Sequence, residues 1–289
     1  MSKISLTSKA MLAKVSCSII GMRKKDDSAT EKANTHLQTS PNAGMYQKCR
    51  ISRENIIDVI RARDKATKLH RRMTTPFTSD NWGLISADLV MDYGRQMANF
   101  KQEFESGVAD VVNRWLAIIA FEKKRLGPLF NYSEYPLASE VNEYFAFEHS
   151  LKPVPDEGHV ILDLETEVLN EIKASLRKEN HKNLERSMRD MWTRLLEPVS
   201  NMADICSNDK KVFKSLISKL EDIVDIMPAL NIVNDPGLID IGFEIRQKLL
   251  LHTTGQIKDD KNLKKKLGKE AEYLANKVRG YMDNVPAKI

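Results

Sequence analysis

Residues near the middle of the chain match a loose pattern for metal-dependent cleavage of phosphodiesters. Pro155-Asp156 is followed 15 residues later by Glu171-Ile172-Lys173. This is the order of the PD…ExK expression of nucleases, in which two carboxylates hold Mg²⁺ and a lysine assists the attacking water. That element normally lies on a strand, where residues i and i+2 share a face. The segment here is predicted to be a helix, in which the side chains of residues i and i+2 lie on different faces. The pattern therefore supports a metal-dependent nuclease only as a third hypothesis, and we assign no catalytic residue.

The histidines and cysteines follow no recognisable pattern for a metal or a cofactor. His149 and His159 could face each other across a predicted hairpin, but no carboxylates accompany them in a strong metal-binding pattern. Cys17, Cys49 and Cys206 are scattered and odd in number, which predicts reduced thiols rather than a disulfide framework. The sequence contains no phosphate-binding loop, dinucleotide fingerprint, HExxH or GxSxG. We therefore expect neither a metal nor a cofactor.

Two groups of cationic side chains could contact phosphate groups. The first group shares one face of a predicted helix, at positions i, i+4, i+7 and i+11: Arg61, Lys65, Lys68 and Arg72. The second group lies on the last predicted helix: Lys261, Lys264, Lys265, Lys266 and Lys269. Neither group is interleaved with aromatic residues, so the sequence predicts contact with a nucleic-acid backbone without base stacking. The alternative is that both faces are solvated or meet another subunit.

The net charge of +5 over 289 residues hides an uneven distribution. Residues 1–75 hold 16 Lys and Arg against 6 Asp and Glu, residues 76–257 hold 20 against 29, and residues 258–289 hold 9 against 5. Both ends are therefore basic and the middle is acidic. The ends could bind an anionic partner such as DNA, or pack against the acidic middle of the same chain or of another copy.

Composition excludes several classes of protein. Hydrophobic residues make up 42% of the chain, which suffices for a core and argues against wholesale disorder. No segment approaches the roughly 18 uninterrupted apolar residues of a membrane-spanning helix, so we expect no membrane partner. The first apolar stretch is interrupted by Lys14 and lacks an obvious cleavage site, so we expect an intracellular protein.

Apolar spacing and turn residues predict a mainly α chain with a small antiparallel sheet. The predicted elements are a strand over 12–22, a polar loop over 23–48, helices over 52–73 and 86–125, a β-hairpin over about 145–164, a helix over 166–207, and shorter helices over 209–227, 236–253 and 260–283. Ser52, Ser86 and Thr166 are the candidate N-caps of the first three helices. On the helix over 166–207, positions such as Val168 and Leu195 mark the expected buried face.

The second of these helices would be about 60 Å long, which outruns an ordinary globular core. We therefore expect it to form an elongated, coiled-coil-like antiparallel hairpin with the helix over 166–207. The β-hairpin and the strand near residue 15 would form a sheet at one end. The expected domains are an N-terminal strand and loop over 1–51, the long-helix hairpin with its inserted β-hairpin over 52–207, and a C-terminal helical bundle over 208–289.

Several short motifs stand in a characteristic order from about residue 12 to residue 207. They are Arg23-Lys24-Lys25-Asp26, Lys48, Arg71, Thr74-Thr75-Pro76, Asp80-Asn81-Trp82-Gly83-Leu84-Ile85, Leu126-Gly127-Pro128-Leu129-Phe130-Asn131, Tyr135-Pro136, Phe145-Ala146-Phe147 and Lys152-Pro153-Val154-Pro155. Together these motifs resemble an uncharacterised family of proteins from tailed bacteriophages and prophages. One departure is Pro76-Phe77, where members have Pro-Trp; the change keeps an aromatic side chain.

The resemblance implies a phage origin and a location in the host cytoplasm. Members are often encoded near a MoxR-type AAA+ ATPase and near enzymes of DNA metabolism, which implies an association rather than a mechanism. The family supplies no catalytic residue that could be carried over to this sequence.

Two hypotheses precede the nuclease. The first is a non-enzymatic helical assembly or adaptor protein that acts in phage DNA metabolism, takeover of the host or a AAA+ ATPase machine. Its partner would be another copy of itself, in a homo-oligomer, or a phage or host protein such as that ATPase. The alternative is a sequence-independent nucleic-acid-binding protein that uses its basic helices, with DNA as the partner.

Overall fold

The computed structural model describes residues 6–156, 165–208 and 210–283. It is 69% helical with a small antiparallel sheet, which confirms the predicted mainly α fold. The helices are α1 (Leu6–Lys9), α2 (Asp27–His36), α3 (Ile57–Met73), α4 (Ala87–Asn113), α5 (Trp115–Leu126), α6 (Thr166–Ser207), α7 (Lys214–Leu230), α8 (Pro236–Lys248), α9 (Thr254–Asp259) and α10 (Lys261–Asp283). The strands are β1 (Ala10–Ser18), β2 (Arg23–Lys25), β3 (Gln47–Cys49), β4 (Thr75–Pro76), β5 (Gly83–Ser86) and β6 (Ala146–Pro153).

Four strands within the described residues form an antiparallel sheet in the order β4-β5-β1-β6. Ala10 of β1 pairs with Ser86 of β5, and Thr75 of β4 pairs with Leu84 of β5. The strand predicted over 12–22 is therefore β1, and it shares one sheet with the first arm of the predicted hairpin, which is β6. The second arm, over 160–164, lies outside the described residues.

The prediction of a loop over 23–48 was wrong, because this segment contains α2 and one strand on each side of it. β2 and β3 pair antiparallel, with Lys24 opposite Lys48. Asp26 caps α2 by accepting a 2.9 Å hydrogen bond from the amide of Ala29. The buried residue of α2 is the polar Asn34 rather than an apolar side chain. Apolar periodicity therefore gave no sign of this helix.

The helix predicted over 86–125 exists as two successive helices. α4 ends at Asn113 and α5 begins at Trp115, with Arg114 between them at φ −97° and ψ 6°. Ser86 immediately precedes α4, as predicted. Gly127 ends α5 at φ 51°, in the left-handed region that glycine adopts readily.

α6 has the bounds predicted for the second long helix, but its packing partner differs from the prediction. It lies along α10 and not in a hairpin with the helix after Ser86. Trp192 of α6 stacks on Tyr281 of α10 with ring centroids 5.0 Å apart. Near the opposite ends of the two helices, Gly268 lies against Cys206, so that an added methyl group would meet the Cβ of Cys206 at 3.2 Å. The two helices therefore run antiparallel.

The buried face of α6 is also shorter than predicted. Burial along this helix begins at Leu184, whereas Val168 in its first turn is 42% exposed. Pro198 lies inside the helix, which continues to Ser207. Apolar spacing identified a helix here, but spacing alone does not show how much of the helix packs against the rest of the protein.

The chain divides into two compact units, each built from segments that are distant in sequence. Unit 1 comprises Met1–Lys14, His70–Tyr93 and Ser150–Ile289, and unit 2 comprises Val15–Leu69 and Gly94–His149. The predicted divisions, in contrast, were continuous stretches of chain. In unit 1 a core cluster joins the sheet to α6 through Leu12, Leu84 and Leu184.

The core of unit 2 forms where α3 packs against α4. Ile56, Val59 and Phe104 are buried there. Gly107 lets the two helices approach closely, because a methyl group on Gly107 would lie 3.1 Å from the side chain of Val59. The apolar residues that share one face of the helix predicted over 52–73 are all buried, as expected for an amphipathic helix: Ile56, Val59, Ile60, Ala66, Leu69 and Met73.

Candidate nucleic-acid interface

The four cations of the predicted stripe on α3 are exposed, but two of them are already paired. Arg61 lies 3.2 Å from Asp58, and Lys65 lies 2.7 Å from Glu103. Exposed ion pairs of this kind contribute only about 0–1 kcal/mol to stability. Each carboxylate nevertheless offsets one positive charge. The stripe of Arg61, Lys65, Lys68 and Arg72 therefore carries less net charge than the sequence suggests.

The lysines predicted on the last helix separate into one buried and four exposed side chains. Lys264 is 8% exposed and shares the buried face of α10 with Leu267 and Ala271, so it does not belong to an exposed interface. Its Nζ donates a 2.8 Å hydrogen bond to the carbonyl oxygen of Lys210. The side chains that remain exposed are Lys261, Lys265, Lys266 and Lys269.

The hydrogen bond from Lys264 brings a second basic segment beside the start of α10. Lys210 and Lys211 lie between α6 and α7, Lys214 begins α7, and all three are exposed. We name the exposed set the lysine cluster: Lys210, Lys211, Lys214, Lys261, Lys265, Lys266 and Lys269. Sequence reasoning missed the first three, because they lie in a stretch whose net charge is acidic. Their close spacing was the available signal.

Both helices that begin in the lysine cluster have lysine where acidic residues are usual. α7 starts at Lys214 and α10 at Lys261, and neither has an acidic residue in its first turn. The N-terminus of a helix carries a partial positive charge, so lysines there are less favourable than Asp or Glu. Asp260 compensates in part, since its carboxylate accepts hydrogen bonds from the amides of Asn262 and Leu263 at 2.8 and 3.0 Å. Such local conflicts with stability are typical of sites that bind a partner.

One carboxylate is paired within the cluster. Asp204 lies 2.7 Å from the Nζ of Lys210, and hydrogen bonds from Lys210 and then Asn208 hold the pKa of Asp204 below its ordinary range. Beneath this surface, burial raises the pKa of the Cys206 thiol, although the charge of Lys264 opposes that effect. Cys206 is therefore a packed side chain whose thiol loses its proton less readily than a free cysteine.

An aromatic side chain lies among the lysines between α6 and the start of α7, which belong to neither of the two cationic groups predicted from the sequence. Phe213 lies between Lys211 and Lys214 and is 54% exposed. The Nζ of Lys211 lies 5.5 Å from the centroid of its ring. The lysine cluster therefore combines positive charge with an accessible aromatic face, a combination found in proteins that bind single-stranded nucleic acid.

Three of the sequence motifs that fall in unit 2 meet in a buried ion network. The Nζ of Lys48 lies 2.8 Å from Asp26 and 3.0 Å from Glu134, and it donates a 2.8 Å hydrogen bond to the carbonyl oxygen of Leu129. Burial disfavours the ammonium group, but hydrogen bonds to both carboxylates raise the pKa of Lys48. The hydrogen bond from Lys48 is also the main reason that the pKa of Asp26 is lowered. These motif residues therefore hold segments of the fold together.

Motif residues in unit 1 have a similar structural role. The guanidinium group of Arg194 on α6 donates hydrogen bonds to the carbonyl oxygens of Arg71 and Thr74, at 2.6 and 2.9 Å. The ammonium group of Lys152 lies 3.9 Å from the ring centroid of Trp82. The first contacts fasten the end of α3 to α6, and the last joins β6 to the turn before β5. Their order along the sequence thus reflects folding rather than an exposed site.

The residues of the nuclease pattern do not converge. Glu171 and Lys173 lie on α6, where about 100° per residue sets their side chains roughly 200° apart. Asp156 accepts a 3.4 Å hydrogen bond from the hydroxyl of Thr7. Over residues 6–156, 165–208 and 210–283, no group of three or more His, Cys, Asp or Glu could hold a metal ion. Of the two histidines considered for a metal site, His159 lies outside the described residues.

Comparison of the chain with family models, with curated proteins and with solved structures gives no match. Within the part of the chain that the structure describes, every helix is too short or too polar to cross a membrane.

Proposed function

We propose that this chain binds nucleic acid through the phosphate backbone, and that the lysine cluster is the contact surface. The observation that carries the proposal is the hydrogen bond from Lys264 to Lys210, which places two basic segments of chain side by side. Phosphate groups are the anions that nucleic acids present at regular, close spacing. When several ammonium groups bind such a polymer, they displace the counterions condensed on its phosphates. The release of these counterions favours binding at low salt.

The chemistry of the cluster favours contact without sequence readout. All seven cations are lysines, which are compact point charges, whereas base recognition in the major groove most often uses the planar fork of arginine. The side chains are exposed, and Lys210 is the member with an ion pair to Asp204. Contacts of this kind position a backbone and carry no sequence information. The stripe on α3 supplies at most a secondary contact, because Asp58 and Glu103 offset two of its charges.

The test is the salt dependence of binding to a labelled DNA duplex, measured by fluorescence anisotropy. Each phosphate neutralised on a duplex contributes about −0.9 to the slope of log K against log salt, so replacing Lys261 and Lys265 with Glu should make the slope about 1.8 units shallower. The matched control replaces Lys123 and Lys124, exposed on α5 in unit 2, with Glu, and should leave the slope unchanged. Absence of binding by the wild-type protein at low salt would refute the proposal.

A second proposal is that the chain acts as an assembly or adaptor protein, on the strength of an apolar pair on α8. Ile239 and Phe243 lie one turn apart and are 57% and 59% exposed. Apolar side chains on adjacent turns suit contact with another protein. Multi-angle light scattering should then detect an oligomer, and Phe243→Glu should dissociate it, whereas Leu116→Glu, at an exposed site on α5, should not. A monomer at every concentration would contradict self-assembly.

The resemblance to bacteriophage proteins adds a compartment and a protein partner to both proposals. We propose the host cytoplasm as the compartment and a AAA+ ATPase as the protein partner. Co-purification of the two proteins from cells that express both, with Phe243→Glu as the variant that loses the complex, tests the pairing. Retention of the complex by that variant would place the contact elsewhere on the chain.

A further inference from the structure

Phe213 is held firmly by its backbone while its ring faces solvent. On one side Val212 is 1% exposed and anchors the chain in the core of unit 1. On the other side the carbonyl oxygen of Phe213 accepts a 3.0 Å hydrogen bond from the amide of Leu216, a buried residue of α7. Phe213 is nevertheless 54% exposed. The backbone here is therefore already ordered, so a ligand that packs against Phe213 does not have to order this segment of chain.

The Phe213 side chain also contributes nothing visible to the helix that it precedes. It occupies the N-cap position of α7 and makes no side-chain capping hydrogen bond. Ser, Thr, Asp and Asn stabilise that position by about 0.5–2 kcal/mol relative to residues that cannot cap. An exposed phenylalanine is thus a poor choice for the stability of α7. Its place among lysines points to a ligand that is both anionic and flat.

We propose that the lysine cluster binds single-stranded nucleic acid, with a base stacked on the ring of Phe213 and the adjacent phosphates on Lys211 and Lys214. This inference rests on the proposed function and names its substrate class. In a duplex the faces of the bases are covered by their neighbours, so an aromatic ring on a protein surface reaches them only in a single strand. Every base has an aromatic face, so this contact adds affinity without adding sequence preference.

The experiment compares anisotropy titrations of a labelled oligo-dT and a labelled duplex of equal length at one low salt concentration. Phe213→Ala should weaken binding of oligo-dT about five- to tenfold, the lower end of the effect of removing one stacking ring. Its affinity for the duplex should change less than twofold. Phe213→Tyr should keep wild-type affinity and Phe213→Leu should not, because leucine is apolar but has no flat face. Phe121→Ala, at an exposed phenylalanine of α5, is the matched control.

The outcomes separate this inference from the proposal on which it rests. Salt-dependent binding of both DNA forms that is equally strong in wild type and in Phe213→Ala overturns the stacking role and leaves backbone binding in place. Equal losses for oligo-dT and duplex would also overturn it, since they indicate a general effect on the surface. Failure of the wild-type protein to bind either form overturns both. A loss confined to oligo-dT in Phe213→Ala and Phe213→Leu supports the inference.

Discussion

The Nζ of Lys264 donates a 2.8 Å hydrogen bond to the carbonyl oxygen of Lys210, which lies 54 residues earlier in the chain. One lysine of a basic helix is thereby buried, and its charge is directed at the backbone of another basic segment. The same contact serves the fold and the surface: it orders the turn between α6 and α7, and it sets the exposed lysines of that turn beside those of α10. A buried lysine thus positions exposed lysines of the proposed contact surface.

Replacing Lys264 with Met should therefore destabilise unit 1 as well as weaken binding of nucleic acid. The methionine keeps most of the buried stem but removes the charged donor, so we expect the free energy of unfolding to fall by about 1–3 kcal/mol. Lys266→Met, at an exposed site two residues away, should change it by less than about 0.5 kcal/mol. Urea denaturation followed by circular dichroism measures both. Equal stability of the two variants would show that the contact to Lys210 contributes little.

The ion network around Lys48 should be the most sensitive polar site of unit 2. Lys48→Met removes the cation and leaves Asp26 and Glu134 in a partly buried position, which typically costs about 3–5 kcal/mol of unfolding free energy. Lys25→Met is the control, because Lys25 and Asp27 form an exposed ion pair. This variant should lower the free energy of unfolding by less than about 1 kcal/mol. Chemical denaturation of each variant at neutral pH gives the comparison.

The penalty of Lys48→Met should also depend on pH, with a defined sign. The lowered pKa of Asp26 means that its contribution is present above its ordinary pKa and is lost as the pH falls through the lowered value. Protonated Asp26 no longer attracts Lys48, so the difference between wild type and variant should shrink at acid pH. A difference that stays constant from neutral to strongly acid pH would contradict this account of the pair.

The sequence predicted the ends of a helix better than the extent of its buried face. α6 was found with its bounds, from the candidate cap Thr166 to Ser207, although its burial begins only at Leu184. α2 was missed because its buried side chain is Asn34, which carries no apolar signal. The partner predicted for α6 was wrong for a different reason: periodicity shows which face of a helix is buried, but α10 and the earlier long helix are both amphipathic, so periodicity could not choose between them.

For the candidate site, too, the sequence showed local patterns and did not show tertiary contacts. The lysines of α10 were visible as a basic run, and four of the five are exposed. That Lys264 turns inward was not visible, because a long aliphatic stem lets lysine occupy either environment. Lys210 and Lys211 were missed because they lie in an acidic stretch and because the contact between Lys210 and Lys264 is tertiary. A hydrogen bond between residues far apart in the chain leaves no trace in local spacing.

His70 should make the stability of unit 1 depend on pH between about 4 and 6.5. Burial, aided by the positive charges of Arg194 and Arg71, lowers the pKa of His70 from 6.5 to about 4, and its Nδ1 lies 2.9 Å from the hydroxyl of Tyr93. The unfolded chain therefore binds a proton that the folded protein does not, so stability falls as the pH drops through this window. The full loss is about 3 kcal/mol. His70→Gln should show a flatter profile in urea titrations at pH 7, 5.5 and 4.5, and parallel profiles would contradict the assignment.

Two glycines should respond in opposite directions to the same substitution. A methyl group on Gly83 in β5 would lie 2.7 Å from the Cβ of Thr74, an atom close to the backbone that cannot move aside, so Gly83→Ala should lower stability by about 1–3 kcal/mol. Gly94 lies inside α4, and nothing within 4 Å would meet its added methyl group. Gly94→Ala should raise stability by about 0.5–1 kcal/mol, because alanine loses less conformational entropy in a helix. Thermal unfolding of the two variants measures the contrast. A Gly83→Ala protein as stable as wild type would mean that β5 and the turn at Thr74 can separate at little cost, and the close approach of these segments would not be a constraint on the sheet.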